Sequence, residues 1–412
     1  MIFAWCPRGG VGSRRWSKFS KYLCGAGARL RVITAEYPRT DAINWCHDVA
    51  GLPNLTTHPL PARYPAALLR HRRTPLIKVG SRLLRYTTHR VDPAQRWATG
   101  VARRLPRLVG PGEPVILTVP PFSLLLTVPD LRRRLPDNPL VLDYRDPWQH
   151  FLSPERSPRE RALEAAEGRA LKLADEVWVT TPEHRRLLLK QYGLPPERVT
   201  VLPNGYDPAD YAGGETRATT PPRPEAVYLG QLMESRVFHL LDVLRMLADG
   251  PYLYLHQHFR IAIYTDSAIP RHKFSERQAR DFDRFTDIRT PVAAHEIPAI
   301  LRQFRYGLTI GVTGYDMTIP VKNFEYLALG RTVLSFGPVT DFHRQLRADG
   351  HLVADFREED VRKLFAQLEA RAGREADRTP PPQFSIPGIT AGLRERLATL
   401  ERARRPTGRK NP

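Results

Sequence analysis

Short apolar runs recur along the first half of the chain, at 2–6, 30–34, 115–119, 140–144, 177–181 and 199–202, and stretches with helical spacing separate them. Continuous apolar runs alternating with helices are the pattern of strands buried on both faces of a parallel sheet. Helix signals between the runs are explicit. Thr181 is placed to cap a helix, Pro182 to occupy its first position and Gly193 to end it. The first half therefore reads as a doubly wound α/β domain.

A stretch rich in Gly, Thr, Pro and Arg at 212–224 interrupts the alternation, which restarts with strands expected at 226–229, 260–264, 308–312, 332–336 and 352–354. Helices are expected near 238–247, 296–304 and 361–372. The division predicted is a first domain over 1–206, a linker over 207–224 and a second domain over 225–378. A C-terminal helix region follows at 379–403, after three prolines, and then a basic tail at 404–412. Both domains are Rossmann-like. Two such domains are expected to face each other across a cleft at the carboxyl ends of their strands, where open α/β sheets bind ligands, with the last helix crossing back to the first domain.

The segment 319–334 carries the densest candidate chemistry. Pro320 suits the first turn of a helix, so the amides of Val321, Lys322 and Asn323 would point unpaired at whatever lies beyond, where the helix dipole favours an anion such as a diphosphate. One turn further on, Glu325 offers two acceptor oxygens to a vicinal diol such as a ribose, while Phe324, Leu327 and Leu329 face the core. Gly330 ends the helix. On this segment alone, a plain helix-turn-strand with a chance acidic residue fits equally well.

Composition bounds the partners. The chain has 412 residues, 42% hydrophobic and 26% charged, which describes a folded protein, and its net charge of +20 makes anionic partners attractive. Only nine of its 63 basic residues are Lys. Three cysteines without metal-ligand spacing fit a reduced compartment, and neither a signal peptide nor a bilayer-spanning run is recognised. No acidic residue occurs from 49 to 91, and the basic, leucine-interleaved part at 63–90 would suit an anionic membrane surface or be an unengaged insertion. The expected location is cytoplasmic, peripheral at the inner face of the cell membrane.

Four segments carry a family resemblance: Val227-Tyr228-Leu229-Gly230-Gln231-Leu232 with Arg236, His295-Glu296-Ile297-Pro298 and its continuation to Leu301, the run 319–334, and Val201-Leu202-Pro203-Asn204-Gly205-Tyr206-Asp207. In order and spacing, over most of the chain, they resemble GT-B glycosyltransferases of family 4, which are retaining and use nucleotide sugars. The resemblance implies that the loop after the first strand of the second domain meets the diphosphate. Where the family has Arg and Lys, this chain has Gln231 and Arg236. Arg236 keeps a charge that can fork onto phosphate, and Lys322 is expected to supply the one that Gln231 lacks. The family also has two glutamates separated by seven residues. Glu325 matches the second, at the ribose, whereas the first falls on Met317, with Asp316 beside it.

In the first domain the resemblance implies that the loop holding Gly9 and Gly10 faces the transferred sugar and leaving phosphate, although any tight strand-helix turn also wants glycine. Leu142-Asp143-Tyr144-Arg145-Asp146-Pro147-Trp148 resembles an Arg-Asp-x-Trp segment of GT-B enzymes. Asp146 is the candidate to orient or deprotonate an acceptor hydroxyl and Trp148 the candidate sugar-stacking face, against the plainer reading of Asp-Pro as a turn.

No metal or other cofactor is expected. His184, His256 and His258 lack a third ligand at useful spacing, and Asp281-Phe282-Asp283 falls on a charged helix face. Helix-end amides and basic side chains can neutralise a diphosphate instead. The function expected is transfer of a sugar from a nucleoside diphosphate sugar to a hydroxyl acceptor, in envelope polysaccharide or lipid-linked glycan synthesis, as a hexosyltransferase. A non-catalytic GT-B binding or scaffold protein and a nucleotide-sugar 2-epimerase are the rivals. Nucleic acid is not an expected partner, because no aromatic-basic recognition motif accompanies the charge.

Overall fold

The computed structural model of the chain describes residues 1–8, 11–36, 44–62, 91–92, 94–148, 157–213, 225–314, 316–371, 374 and 378–404. The chain divides into two compact units, one of residues 1–203 with the C-terminal residues from 389, the other of residues 204–388.

In the first unit, α1 (Val11–Gly25) is followed by β1 (Leu30–Ala35) and β2 (Leu55–Leu60), which pair in parallel as a small sheet. After α2 (Gln95–Arg104), a four-stranded parallel sheet runs in the order β3 (Val115–Val119), β4 (Leu140–Tyr144), β5 (Glu176–Val179), β6 (Val199–Val201). Helices α3 (Val128–Arg134), α4 (Pro158–Leu173) and α5 (Pro182–Tyr192) connect its strands. The Thr181 side chain accepts from the His184 amide, Pro182 opens α5, and Gly193 closes it at φ 60°, as the sequence predicts.

Two expectations change. The run 2–6 yields a single bridge, Ile2 to Thr34, because the chain turns off the sheet with the Arg8 amide donating to the Trp5 carbonyl. β2 was not expected: Leu-Thr-Thr-His-Pro-Leu is half exposed and polar, so it carries no buried-strand signature.

The second unit opens with α6 (Pro208–Tyr211), capped by Asp207, inside the span expected to be linker. β7 (Ala226–Leu229), α7 (Glu234–Ala248), α8 (Leu253–His258), β8 (Ile261–Tyr264), α9 (Glu276–Phe285), β9 (Thr286–Arg289), α10 (Ile297–Arg302) and β10 (Tyr306–Ile310) come next. Then follow α11 (Val321–Ala328), β11 (Thr332–Phe336), α12 (Asp341–Ala348), β12 (Leu352–Ala354) and α13 (Glu358–Arg371); α14 (Ile386–Arg404) starts in this unit and from residue 389 belongs to the first. The six strands are all parallel, in the order β12-β11-β10-β7-β8-β9.

Alternate residues of β7 enter different cores. Ala226 and Tyr228 pack with the α7 and α13 side, while Val227 and Leu229 pack with Phe324, Tyr326 and Leu327 of α11. Both faces are covered, which is why these strands read as unbroken apolar runs. The order also places the reversal of winding between β7 and β10, since α7 follows β7 on one face and α11 follows β10 on the other. Open parallel sheets bind ligands at that reversal, beyond the carboxyl ends of the strands.

Candidate functional site

At the carboxyl end of β7, Gly230 turns the chain at φ 96°, a conformation that side-chain-bearing residues rarely adopt. The turn is fastened from two sides. The Tyr228 hydroxyl donates to the Gln231 carbonyl at 2.8 Å, and the Leu232 amide donates to the Ser267 hydroxyl at 3.0 Å, beyond the end of β8. Arg236, in the first turns of α7, is half-buried, and its Nη1 reaches the same Gln231 carbonyl at 3.4 Å. Its Nε is buried with no acceptor among the described residues. The Gln231 side chain is exposed, so its backbone, and not its amide, organises the turn.

From the other face comes α11. Pro320 lies at its cap position, with φ −57° and ψ 133°, one residue before the expected place. The Asn323 amide donates to the Pro320 carbonyl at 3.0 Å, so it is not one of the free amides expected. Those of Val321 and Lys322 have no acceptor among the described residues. The Asn323 side chain is 1% exposed, on the core-facing side with Phe324, Tyr326 and Leu327, and neither of its polar atoms has a hydrogen-bond partner among the described residues.

The helix is bolted to the sheet by Tyr326. Its buried hydroxyl lies 3.2 Å from both the Val227 and Leu308 carbonyls, bridging β7 and β10, and its ring occupies the space above Gly307. A Cβ at 307 would come within 2.1 Å of that ring. Gly330, at φ 65°, ends the helix, and the Arg331 amide donates back to the Tyr326 carbonyl.

Lys322 crosses the rim of the sheet to place its Nζ 3.4 Å from the centroid of the Tyr228 ring. Burial pushes its ammonium well below the usual lysine range, the nearby Arg236 lowers it further, and Glu325 opposes both. Burial likewise raises the Tyr228 phenol, against the pull of Arg236. Among the described residues no carboxylate lies within ion-pair distance of Lys322 or Arg236. Two cations from opposite faces of the sheet thus meet at the reversal of winding, with Glu325 half-buried one helical turn along. Such an arrangement is suited to an anion that can take hydrogen bonds from both. Tyr228 and Tyr326 were not singled out in the sequence; a tyrosine in an otherwise aliphatic buried segment is the signal that could have found them.

In the first unit, the end of β4 holds a separate polar cluster. Asp143 is fully buried; it accepts from Arg15 Nε and Nη2 at 3.2 and 3.1 Å and from Trp16 Nε1 at 2.7 Å. Arg15 also donates to the Leu202 and Pro203 carbonyls. Arg145 donates to the carbonyls of Gly12 and Pro120, tying the start of α1 to the end of β3. Asp146 presents its side chain to solvent, yet crowding by the surrounding chain raises its carboxyl, against the Arg145 cation. Trp148 differs from expectation. It is 8% exposed and stacks on Phe122 with ring centroids 5.0 Å apart and planes 6° from parallel, so core packing takes the ring face assigned to a sugar.

Gly9, Gly10 and the stretch 63–90 lie outside the described residues. Asp281 and Asp283 sit on α9, facing Arg277 and Arg271. A cavity of about 540 Å³ lined by Asp349, His351 and Arg378 lies toward the opposite ends of β11 and β12, and Arg378 there is occupied by the Asp349 and Gly350 carbonyls. No helix among the described residues is long and apolar enough to cross a membrane.

Residues 9–210 match the family described as Glycosyltransferase Family 4. No curated protein matches the chain in sequence. Among solved structures, sucrose-phosphate synthase from Thermosynechococcus elongatus is similar at 13% identity and a TM-score of 0.59, over 96% of this chain and 94% of that one. An alpha,alpha-trehalose-phosphate synthase (UDP-forming) from Burkholderia vietnamiensis is similar at 14% identity and 0.57, over 91% and 100%. A trehalose-6-phosphate protein from E. coli, bound with UDP-2-fluoro glucose, is similar at 14% identity and 0.57, over 98% and 96%. At these identities the likeness concerns the fold, and the family match concerns the first half of the chain. Together they give the chain a GT-B fold whose residues 9–210 match Glycosyltransferase Family 4.

Proposed function

We propose that the donor is a nucleoside diphosphate sugar, held in the second unit with its diphosphate at the start of α11. The observation that carries this reading is the meeting of Lys322 and Arg236 at the reversal of winding, with no carboxylate among the described residues within ion-pair distance of either. Two like charges held together in a crowded site favour a dianionic guest, and the amides of Val321 and Lys322 add donors in line with the helix dipole. Glu325, on the same helix, would take the two hydroxyls of the ribose. The bond from the anomeric carbon to the phosphate oxygen breaks, a bond to the acceptor oxygen forms, and the diphosphate leaves with its charge stabilised by the two cations.

On the acceptor side, Asp146 is the group proposed to orient the acceptor hydroxyl and take its proton; a raised carboxyl is the better proton acceptor. The acceptor class proposed is a glycan or lipid-linked glycan, to which the acid-free basic stretch at 63–90 would contribute a membrane-facing charge. Retention of configuration is part of the same proposal.

Thermal unfolding with UDP-, GDP-, ADP- and dTDP-sugars tests the donor. A cognate sugar at a hundred times its dissociation constant stabilises the protein by about 2.7 kcal/mol. Glu325→Ala is expected to weaken that binding at least about tenfold. No stabilisation by any of the four, or an unchanged affinity in Glu325→Ala, overturns the assignment.

A further inference from the structure

We propose that Tyr228 is the positioning residue of the donor site: its ring seats the Lys322 ammonium, so that this cation waits at the rim beside Arg236 for the diphosphate. The inference rests on the donor reading above and goes beyond it by assigning a residue that touches no substrate.

Two contacts converge on this one buried side chain, and a third shares its carbonyl partner. The Lys322 Nζ lies 3.4 Å above the ring, the hydroxyl is 2.8 Å from the Gln231 carbonyl, and that carbonyl also receives Arg236 at 3.4 Å. Tyr228 is 1% exposed, so the ring cannot move aside without disturbing the core that includes Ala226, Leu232 and Val237. A lysine approaching a desolvated rim needs some stabilisation of its charge. A carboxylate would supply more, but it would also neutralise the site and repel a diphosphate. An aromatic face holds a cation through its quadrupole while leaving the net charge intact. The seat also has a geometric consequence. Lys322 starts from α11 on one face of the sheet and Tyr228 points to the other, so the ring draws the ammonium across the rim toward Arg236. That brings a second cation to the turn where Gln231 contributes only a neutral side chain.

The test uses the full chain and inorganic pyrophosphate, which carries the diphosphate without base or sugar, with affinity measured by calorimetry in a double-mutant cycle. Lys322→Met and Tyr228→Leu are each expected to weaken pyrophosphate about tenfold. Tyr228→Phe, which keeps the ring, should stay within about threefold of the parent. In the Lys322→Met background, Tyr228→Leu should cost little more, because its effect passes through the lysine. A purely structural tyrosine would instead weaken binding equally in both backgrounds, and that result, or a loss in Tyr228→Phe matching that in Tyr228→Leu, overturns the proposal. Tyr228→Met replaces the leucine variant if the latter does not unfold cooperatively. If Lys322→Met and Arg236→Gln both leave pyrophosphate binding unchanged, the donor reading itself fails. If Lys322→Met weakens binding while Tyr228→Leu does not, only the role of Tyr228 is lost.

Discussion

The two units treat their internal charges in opposite ways. In the first, buried charges are matched: Asp143 sits between Arg15 and the Trp16 indole, Lys18 lies 2.9 Å from Asp48, and Glu167 accepts from the Tyr144 and Tyr192 hydroxyls. In the second, Lys322 and Arg236 meet at the switch of the sheet with an aromatic ring and a carbonyl for company. Matched charges hold a fold together, whereas cations left without a counter-ion are a cost that a bound anion can relieve. On the proposed donor reading, the contrast separates groups that build the molecule from groups that would serve its ligand. It also differs from the distribution of sequence similarity, which falls on the first unit.

The comparison breaks most sharply at Asp143. Removing it strands the Arg15 guanidinium and the Trp16 N–H in the core, and breaking a buried pair from one side costs about 3 to 5 kcal/mol. All six tryptophans lie before residue 204, so indole fluorescence follows the first unit alone. Asp143→Ala should lower the unfolding free energy obtained from its denaturant transition by that amount. A loss below about 1 kcal/mol would mean that the matched cluster is not holding the unit.

Acid is the next lever, because it charges histidines that the fold keeps neutral. Burial lowers His184, packed edge-on against Tyr144 with both ring nitrogens unpartnered, to about 3. In the unfolded chain a histidine binds its proton near pH 6.5. As pH falls below that value the unfolded state gains protons that the folded state refuses, so stability declines steadily toward about pH 3. At pH 4.5 the loss from this one residue approaches about 2 to 3 kcal/mol. His184→Leu should remove that part of the acid loss seen by tryptophan fluorescence. The second unit carries two such groups, His343 and His351, each lowered to about 4, by burial first and then by nearby arginines. Far-UV circular dichroism, which reports both units, should therefore show an acid transition that indole fluorescence and the His184 variant leave in place.

Much of this division was readable from the chain. β3, β4, β7 and β11 are buried, largely apolar segments, and α11 announces itself through Pro320 and Gly330. What escaped was polar or non-local. β9, Thr-Asp-Ile-Arg, is an edge strand whose side chains are largely solvated, so it lacks the apolar run that marks its neighbours. Trp148 looks like a sugar platform in a linear motif, but only the fold brings Phe122 against it. Residues 322, 228 and 236 lie on three elements, and no sequence spacing reveals that the order β10-β7 makes them neighbours. Pro320 was misplaced by a single position, the usual scale of error at a helix end.

A smaller effect of the opposite sign is expected at Lys322. Replacing a crowded ammonium that has no carboxylate partner among the described residues with an apolar side chain of similar length removes a desolvation cost, so Lys322→Met should stabilise the second unit by about 1 kcal/mol while weakening diphosphate binding. Loss of stability comparable with that of Asp143→Ala would erase the contrast between the units. The pH dependence sharpens the same point. Because burial depresses the Lys322 ammonium and a diphosphate would restore it, binding takes up a proton once pH rises above the depressed value, and affinity should fall as the solution becomes alkaline. Lys322→Met should flatten that limb.

The finest distinction concerns Asn323, next along the helix from Lys322 and equally polar in the sequence. Its amide is buried on the core side with neither oxygen nor nitrogen hydrogen-bonded among the described residues, a situation that costs about 1 to 3 kcal/mol relative to a satisfied group. If the rim holds the ligand groups and the core side of α11 only packs, Asn323→Leu should stabilise the second unit by about 1 kcal/mol and leave pyrophosphate affinity unchanged. Weaker binding in this variant would move the ligand from the rim into the helix-sheet interface, and Lys322 would then be a neighbour of the site instead of part of it.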